Sequence, residues 1–411
     1  MILIERKESM DLLYQDRELL KKKVREVKKM FPWYEQLCEN AEIDNIKDLP
    51  LMTQKVLEEN YYDKLDGNGY SVYMTSGTSK KGRKKVYYSK KDDEEYIRIK
   101  KDIYENIISD LDGTVKAMAD MGTGHAASTA QIVFEQLGCI TKSISFELPI
   151  EEHIRILSEF CPDVLYTMPS ILDSIIFHSN HPDQYGVRKI ILVGEVASKS
   201  WIEKVAKAFG ITPEQIFDTY GSIEIGTLAH YSHKHKKYIL AEGLFGEGLQ
   251  PCEIDPILDD LRENESILVL TSLVRNTFPA LRFITFDVVR DLKTEVIDEK
   301  TVQTFSCIVK RVGNEIKHGE KISIYDIENV VYQYIDNAEI RVNIVDNKLT
   351  IFIKSNELNT EKMKLIQDGV QDAIPEIGSM IKNHILEEIK VIEADVEKNF
   401  EKRIKNKRIY G

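Results

Sequence analysis

Residues 73–89 read Y-M-T-S-G-T-S-K-K-G-R-K-K-V-Y-Y-S, and the folding of this stretch decides what the rest of the chain can be. Small hydroxyl residues, Gly77, Gly82 and a run of cations lie between two strand-like segments, "YSVYMT" and "KKVYYS". Such a loop can hold phosphate. Successive backbone N–H groups form an anion nest, hydroxyls add donors, glycine lets the backbone come close, and cations neutralise charge. Gly77 and Gly82 have the spacing of a Walker loop, G-x-x-x-x-G-K-[ST], but Arg83 and Lys84 follow where Lys and Ser/Thr are required. The next segment is β-branched and aromatic, so no helix follows and the Walker reading fails. A solvated basic hairpin loop is the plain alternative.

Outward from the loop, Ser89 and Asp92 are spaced as a capping box for a helix over "KKDDEEYIRIKKDIYENIISDL". Strand-like "VKAMAD", "ITKSISF", "DVLYTM", "KIILVGE" and "QIFDTY" then alternate with helical "STAQIVFEQL", "IEEHIRILSEF", "SILDSIIFHS" and "KSWIEKVAKAFG". This alternation predicts a largely parallel α/β sheet. After Tyr220 strand-like segments dominate, including "KYILAEG", "SILVLTSL" and "ALRFITFDVVRDL". A second α/β unit follows, with strands near "EIRVNIVD" and "LTIFIK" and a helix near "TEKMKLIQDGVQDAI". The expected fold class is therefore α/β: a large N-terminal α/β domain with mixed sheets over residues 1–311 and a small C-terminal α+β lid domain over 312–411.

The 411 residues carry a formal charge of −12, which disfavours general nucleic-acid binding. No apolar run approaches the ~18 residues of a membrane span. Glu5, Glu8 and Asp11 interrupt the start of the chain, which has no signal-peptide core. The scattered Cys38, Cys139, Cys161, Cys252 and Cys307 form no C-x-x-C. The expectation is a cytoplasmic protein without a structural zinc site. "HYSHKHKKY" clusters His230, His233 and His235 without a cysteine and reads as a polar hairpin turn.

Further segments recur in a fixed order: "ILVGEVAS", "DTYGSIEIG", "LRFITFDVV" and "KRVGNEIKHGEKISIYDIE". With the loop "TSGTSKKGRKK" they resemble, respectively, the G-[GA]-[AE]-x, Y-G-x-T-E, R-Y-x-T-G-D, G-R-x-x-D-x-I-K-x-x-G and T-S-G-T-T-G-x-P-K motifs of the adenylate-forming superfamily. That superfamily comprises acyl- and aryl-CoA synthetases and carrier-protein-loading adenylation domains. "IKDLPLMTQKVL" and "PDVLYTMPSIL" resemble its phenylacetate–CoA ligase-like branch. The resemblance runs from about residue 45 to the end. It departs from the motifs at Lys80 (for glycine), Gly82 (for proline), Ile223 (for threonine) and Phe286 (for glycine).

The resemblance implies ATP and Mg²⁺ as cofactors and a carboxylic acid as substrate. The acid is adenylated and then transferred to a thiol, that of CoA or of an acyl carrier protein; an aryl or arylacetic acid is the expected class. Thr75, Ser76, Gly77, Thr78, Ser79, Arg83 and Lys84 would wrap the phosphates. Gly194 and Glu195 would line the adenine and acyl pocket, and Tyr220, Gly221 and Ser222 would flank the adenine. Glu224 would hold Mg²⁺, a cation that takes hard oxygen ligands. Asp287 would accept from both ribose hydroxyls, and Arg311 would contact ribose or phosphate. Gly122, Gly124 and His125 would border the acyl pocket, and Asn314 falls on the hinge. Lys402, with Lys398 and Lys405 as rivals, falls on the lysine that the lid delivers. Two alternatives stay open on the sequence alone: a homologue that binds nucleotide without turnover, and acyl transfer to a protein cysteine.

Overall fold

The computed structural model describes residues 17–38, 45–64, 69–74, 84–121, 125–145, 148–195, 197–255, 261–311, 324–336, 338–345, 348–374, 377, 381, 388–394 and 409–410. The chain falls into two compact units, Met1–Tyr104 with Thr219–His318, and Glu105–Asp218 with Gly319–Gly411. Among the described residues no helix is long and apolar enough to cross a membrane. The five cysteines are free.

In the first unit the stretch quoted at the outset is bracketed by a hairpin. Strand Ser71–Met74 pairs antiparallel with strand Lys85–Tyr88, with Met74 opposite Lys85. Ser89 Oγ accepts from the Asp92 backbone N–H, and Asp92 Oδ2 accepts from that of Ser89. This reciprocal cap opens helix Lys90–Ile108 where the sequence predicts it. Strands 216–222, 226–232, 237–240, 300–305 and 293–297 follow one another as antiparallel neighbours. A separate antiparallel sheet has the order 244–249, 265–272, 283–290, 307–311. Leu249, Ile267, Val269, Ile284, Phe286 and Val288 form a buried apolar cluster on this sheet.

The early segment "IKDLPLM" is stitched to that sheet. Met52 bridges Phe283, its N–H donating to Arg282 O at 2.9 Å. Arg282 sends Nη1 to the carbonyls of Lys47 and Leu49 and Nε to Glu247. Burying a cation is tolerable when it is paired with a carboxylate and hydrogen-bonded in this way.

In the second unit four parallel strands run in the order 189–193, 164–167, 116–120, 140–144. The mostly buried strands 189–193, 164–167 and 116–120 fit a sheet covered on both faces, while edge strand 140–144 is largely exposed or half-buried. Met118, Leu165, Ile190 and Leu192 face helices Ile150–Phe160, Pro169–His178 and Lys199–Phe209 in one core, centred on the fully buried Trp201. The C-terminal part of this unit has its own core, built from helices Ile324–Val331 and Thr360–Ala373 on a four-stranded sheet. Lys204 fastens the two parts. Its buried Nζ donates to Asp173 Oδ1 at 2.8 Å and to the Ala338 carbonyl at 3.0 Å, while Trp201 Nε1 donates to the same Asp173 oxygen.

Candidate active site

The site is built on the turn Ile223–Ile225, between strands Ile216–Ser222 and Gly226–Ser232. Ser222 Oγ accepts from the Ile225 N–H, closing the turn. Gly226 ends it at φ +114°, where an added Cβ would lie 2.9 Å from the Tyr96 ring. Gly221 is also close-packed, since a Cβ there would sit 3.0 Å from the Gly226 carbonyl oxygen. Glycine at 226 is thus a steric requirement of the turn that presents Glu224, and glycine at 221 eases its packing.

Glu224 is half-buried. Its carboxylate receives no hydrogen bond from another described residue, while its backbone is tied down. Arg275 Nε donates to Glu224 O at 2.9 Å, and the Tyr88 hydroxyl donates to Ile223 O at 2.8 Å. Tyr62 stands beside it; burial first, and then the Glu224 charge, push the Tyr62 hydroxyl well above its ordinary pKa. A half-exposed hard-oxygen donor with spare lone pairs fits a magnesium ion.

Arg275 and Asp92 form a buried ion pair, Nη1 to Oδ2 at 2.8 Å, with side chains 2% and 0% exposed. Asp92 also accepts from the hydroxyls of Thr277 and Ser89 and from the backbone N–H groups of Asn276 and Thr277. Burial opposes its ionisation, but Arg275 and these hydrogen bonds outweigh it and hold the carboxyl below the usual carboxylate value. Lys84, at the described edge of the loop, pairs with Glu58 at 2.7 Å and lies 5.0 Å from the centre of the Tyr62 ring.

Tyr220 and Asp287 meet directly, the tyrosine hydroxyl donating to Asp287 Oδ2 at 2.5 Å. Asp287 stands opposite Arg311 in the antiparallel register. Phe286, at the motif's glycine, holds φ +62° and is buried. The backbone thus keeps a left-handed kink that ordinarily favours glycine, and apolar packing supports it.

In the second unit Gly194 (φ +83°) and Glu195 follow the carboxyl end of strand Lys189–Val193. Glu195 Oε2 accepts from the Ser170 N–H at 2.9 Å, capping helix Pro169–His178. His125 opens helix His125–Gln136, earlier than the "STAQIVFEQL" segment predicts, and is buried. At the end of strand Lys116–Asp120, Asp120 accepts from His153 Nδ1 at 2.7 Å, with both residues buried. Burial works against the His153 charge, but the Asp120 hydrogen bond and charge prevail and raise its pKa; burial raises that of Asp120. In sheets of this kind ligands bind beyond the carboxyl ends of the strands.

Thr75, Ser76, Gly77, Thr78, Ser79, Arg83, Gly122, Gly124, Asn314 and Lys402 lie outside the described residues, as do Lys80, Gly82, Lys398 and Lys405, and the Arg311 side chain is not described. Arg275, Glu58 and Tyr62 were not singled out by sequence. Their only signal is a cation inside the apolar run "SLVRNTF" and an acid in "KVLEENYY". The sequence marks Asp92 only as a helix cap.

A curated protein from Enterobacter agglomerans, a fumarate–(S)-2,3-diaminopropanoate ligase, is 35% identical over 384 residues, covering 91% of this chain and 94% of its own. The chain belongs to the fumarate–diaminopropanoate ligase family. The model of the fumarate–diaminopropanoate ligase C-terminal domain matches residues 317–397. This ligase shares its fold with 2-hydroxyisobutyryl-CoA ligase in the postadenylation state: TM-score 0.72 at 13% identity, over 96% of this chain and 89% of the other. ATP-bound MatB from Rhodopseudomonas palustris matches more distantly, with TM-score 0.51 at 12% identity over 78% of this chain and 63% of its own. The fold is thus the one found in the adenylate-forming ligases whose motifs the sequence resembles, and membership of its family makes the chain a ligase.

Proposed function

We propose that this ligase adenylates a short unsaturated dicarboxylic acid and transfers the acyl group to an amine of a small diamino acid, forming an amide. The observation that carries this reading is 35% identity, over 91% of this chain, to a relative named for fumarate and diaminopropanoate. The aryl acid and thiol acceptor expected from the phenylacetate–CoA ligase-like segments are the competing chemistry.

In the first step a carboxylate oxygen attacks the α-phosphorus, the α–β anhydride bond breaks, and pyrophosphate leaves. In the second the amine nitrogen attacks the acyl carbon, the bond to AMP breaks, and the nitrogen loses its proton to solvent. Catalysis then rests on positioning and charge neutralisation. In this reading Asp287, oriented by Tyr220, receives the ribose hydroxyls, with Arg311 beside it. Thr75, Ser76, Gly77, Thr78, Ser79, Arg83 and Lys84 border the phosphates, and Gly221 and Ser222 shape the turn. Glu224 offers the metal ligand; a bound Mg²⁺ would neutralise phosphate charge. Gly122, Gly124, His125, Gly194 and Glu195 border the acyl group. The lid, residues 312–411, turns about Asn314 and brings Lys402 to the site.

Pyrophosphate exchange over fumarate, succinate, benzoate and phenylacetate, followed by mass spectrometry with 2,3-diaminopropanoate or CoA, tests the reading. Exchange with fumarate and an amide product are expected. Exchange with aryl acids only, or a CoA thioester as sole product, would overturn it. Lys402→Ala is expected to slow exchange about a hundred-fold or more while leaving the melting temperature unchanged.

A further inference from the structure

We infer that Arg275 is the positioning residue that sets the direction of the Glu224 carboxylate, acting through the backbone of its turn. The inference rests on the reading that Glu224 meets the metal that accompanies ATP.

A guanidinium presents five N–H donors in a rigid plane, and here the plane is occupied on all sides. Nε reaches the Glu224 carbonyl at 2.9 Å, Nη2 the Tyr87 carbonyl at 2.5 Å, and Nη1 both Thr277 Oγ1 and Asp92 Oδ2 at 2.8 Å. One face lies 3.7 Å from the centre of the Tyr88 ring, and the Tyr88 hydroxyl takes the Ile223 carbonyl. Two successive carbonyls of the turn are therefore held by side chains anchored to strand Lys85–Tyr88, the strand that leaves the phosphate loop. Asp92 keeps the guanidinium from rotating.

The Glu224 side chain receives no hydrogen bond from another described residue, so the backbone of its turn governs where its oxygens point. The threonine of the motif is absent here: Ile223 supplies only its carbonyl. A lysine at 275 could keep a charge beside Asp92. A point charge with no plane could not bridge Glu224 O, Tyr87 O and Thr277 together while stacking on Tyr88.

The test is calorimetric binding of α,β-methylene-ATP, in Mg²⁺ and in EDTA, to the full chain and three variants. For the wild type, metal is expected to tighten binding; the ratio of the two dissociation constants measures metal engagement. Glu224→Gln should collapse that ratio. Arg275→Lys should lower it ten-fold or more while affinity in EDTA stays within about three-fold. Tyr88→Phe keeps the stacked ring and loses the Ile223 contact; it should lower the ratio two- to five-fold and carries the test if Arg275→Lys does not fold. A purely structural role for Arg275 would weaken binding equally with and without metal, and that outcome overturns the inference. If Glu224→Gln leaves the ratio at its wild-type value, the metal role of Glu224 fails and the positioning of its carboxylate falls with it. If Glu224→Gln lowers the ratio and Arg275→Lys and Tyr88→Phe do not, only the positioning is wrong.

Discussion

Tyr220 donates its hydroxyl hydrogen to Asp287 across 2.5 Å, joining positions 67 residues apart in the chain. The contact fixes the orientation of the carboxylate that the ribose reading relies on. Hydrogen bonds to charged acceptors contribute about 1.5–3 kcal/mol, so Tyr220→Phe is expected to raise the KM for ATP roughly ten-fold. Asp287→Asn, which swaps an acceptor for a donor, should raise it further. Equal ATP affinity in all three proteins by steady-state exchange would refute a ribose role.

Lys84 is already matched by Glu58, with its side chain 14% exposed. Its charge is therefore partly spent before any phosphate arrives. Lys84→Ala should weaken ATP binding by less than about ten-fold, within the range of a partly exposed ion pair. Glu58→Gln should tighten ATP binding and steepen its dependence on salt, because the lysine no longer faces that carboxylate. Titrations at two ionic strengths check both; weaker binding in Glu58→Gln would contradict the prediction.

Phe286→Gly restores the residue of the motif and relieves a positive φ, a gain of about 1–2 kcal/mol. It also empties a buried phenyl site, costing about 3–5 kcal/mol. The packing loss is larger, so the variant should melt several degrees lower. A higher melting temperature would show that the kink, and not the ring, dominates.

The pair His153–Asp120 predicts a pH dependence of stability. The His153 pKa is raised above its ordinary 6.5, so the native state holds its proton more tightly than the unfolded chain does. The resulting stability is complete below about pH 6.5 and is lost as pH rises through the raised value. The raised pKa of Asp120 acts in the same direction. Melting curves between about pH 6 and 9 should show wild type losing its advantage over His153→Gln. A constant difference would refute the linkage.

The alternation of "DVLYTM", "SILDSIIFHS", "KIILVGE" and "KSWIEKVAKAFG" maps onto observed strands and helices because parallel strands and amphipathic helices write their burial into local sequence. Helix Ile150–Phe160 has the bounds that "IEEHIRILSEF" predicts. Strands Gly226–Ser232, Leu244–Leu249 and Lys293–Ile297 escaped notice: histidines, glycines and exposed polar residues break their alternation, and sheet pairing alone defines them. Helix Ile324–Val331 begins inside the motif segment "KISIYDIE", where motif chemistry masks the helical pattern. At the site, Glu224, Tyr220 and Asp287 were legible because motifs mark them. Arg275, Glu58 and Tyr62 were not, because each acts on a partner far away in the chain.

The burial of Asp92 also bears on the order of events during synthesis. The carboxylate waits for Arg275 and for Asn276, the latter 184 positions downstream. At about 5–20 residues per second a ribosome needs some ten to forty seconds to deliver them. For that interval helix Lys90–Ile108 carries an acid that it cannot bury. The first hundred residues are therefore expected to stay open on the ribosome, accessible to chaperones and proteases, until strand Phe283–Arg290 emerges. A gene split between residues 104 and 219 should yield fragments that fold only when both are present.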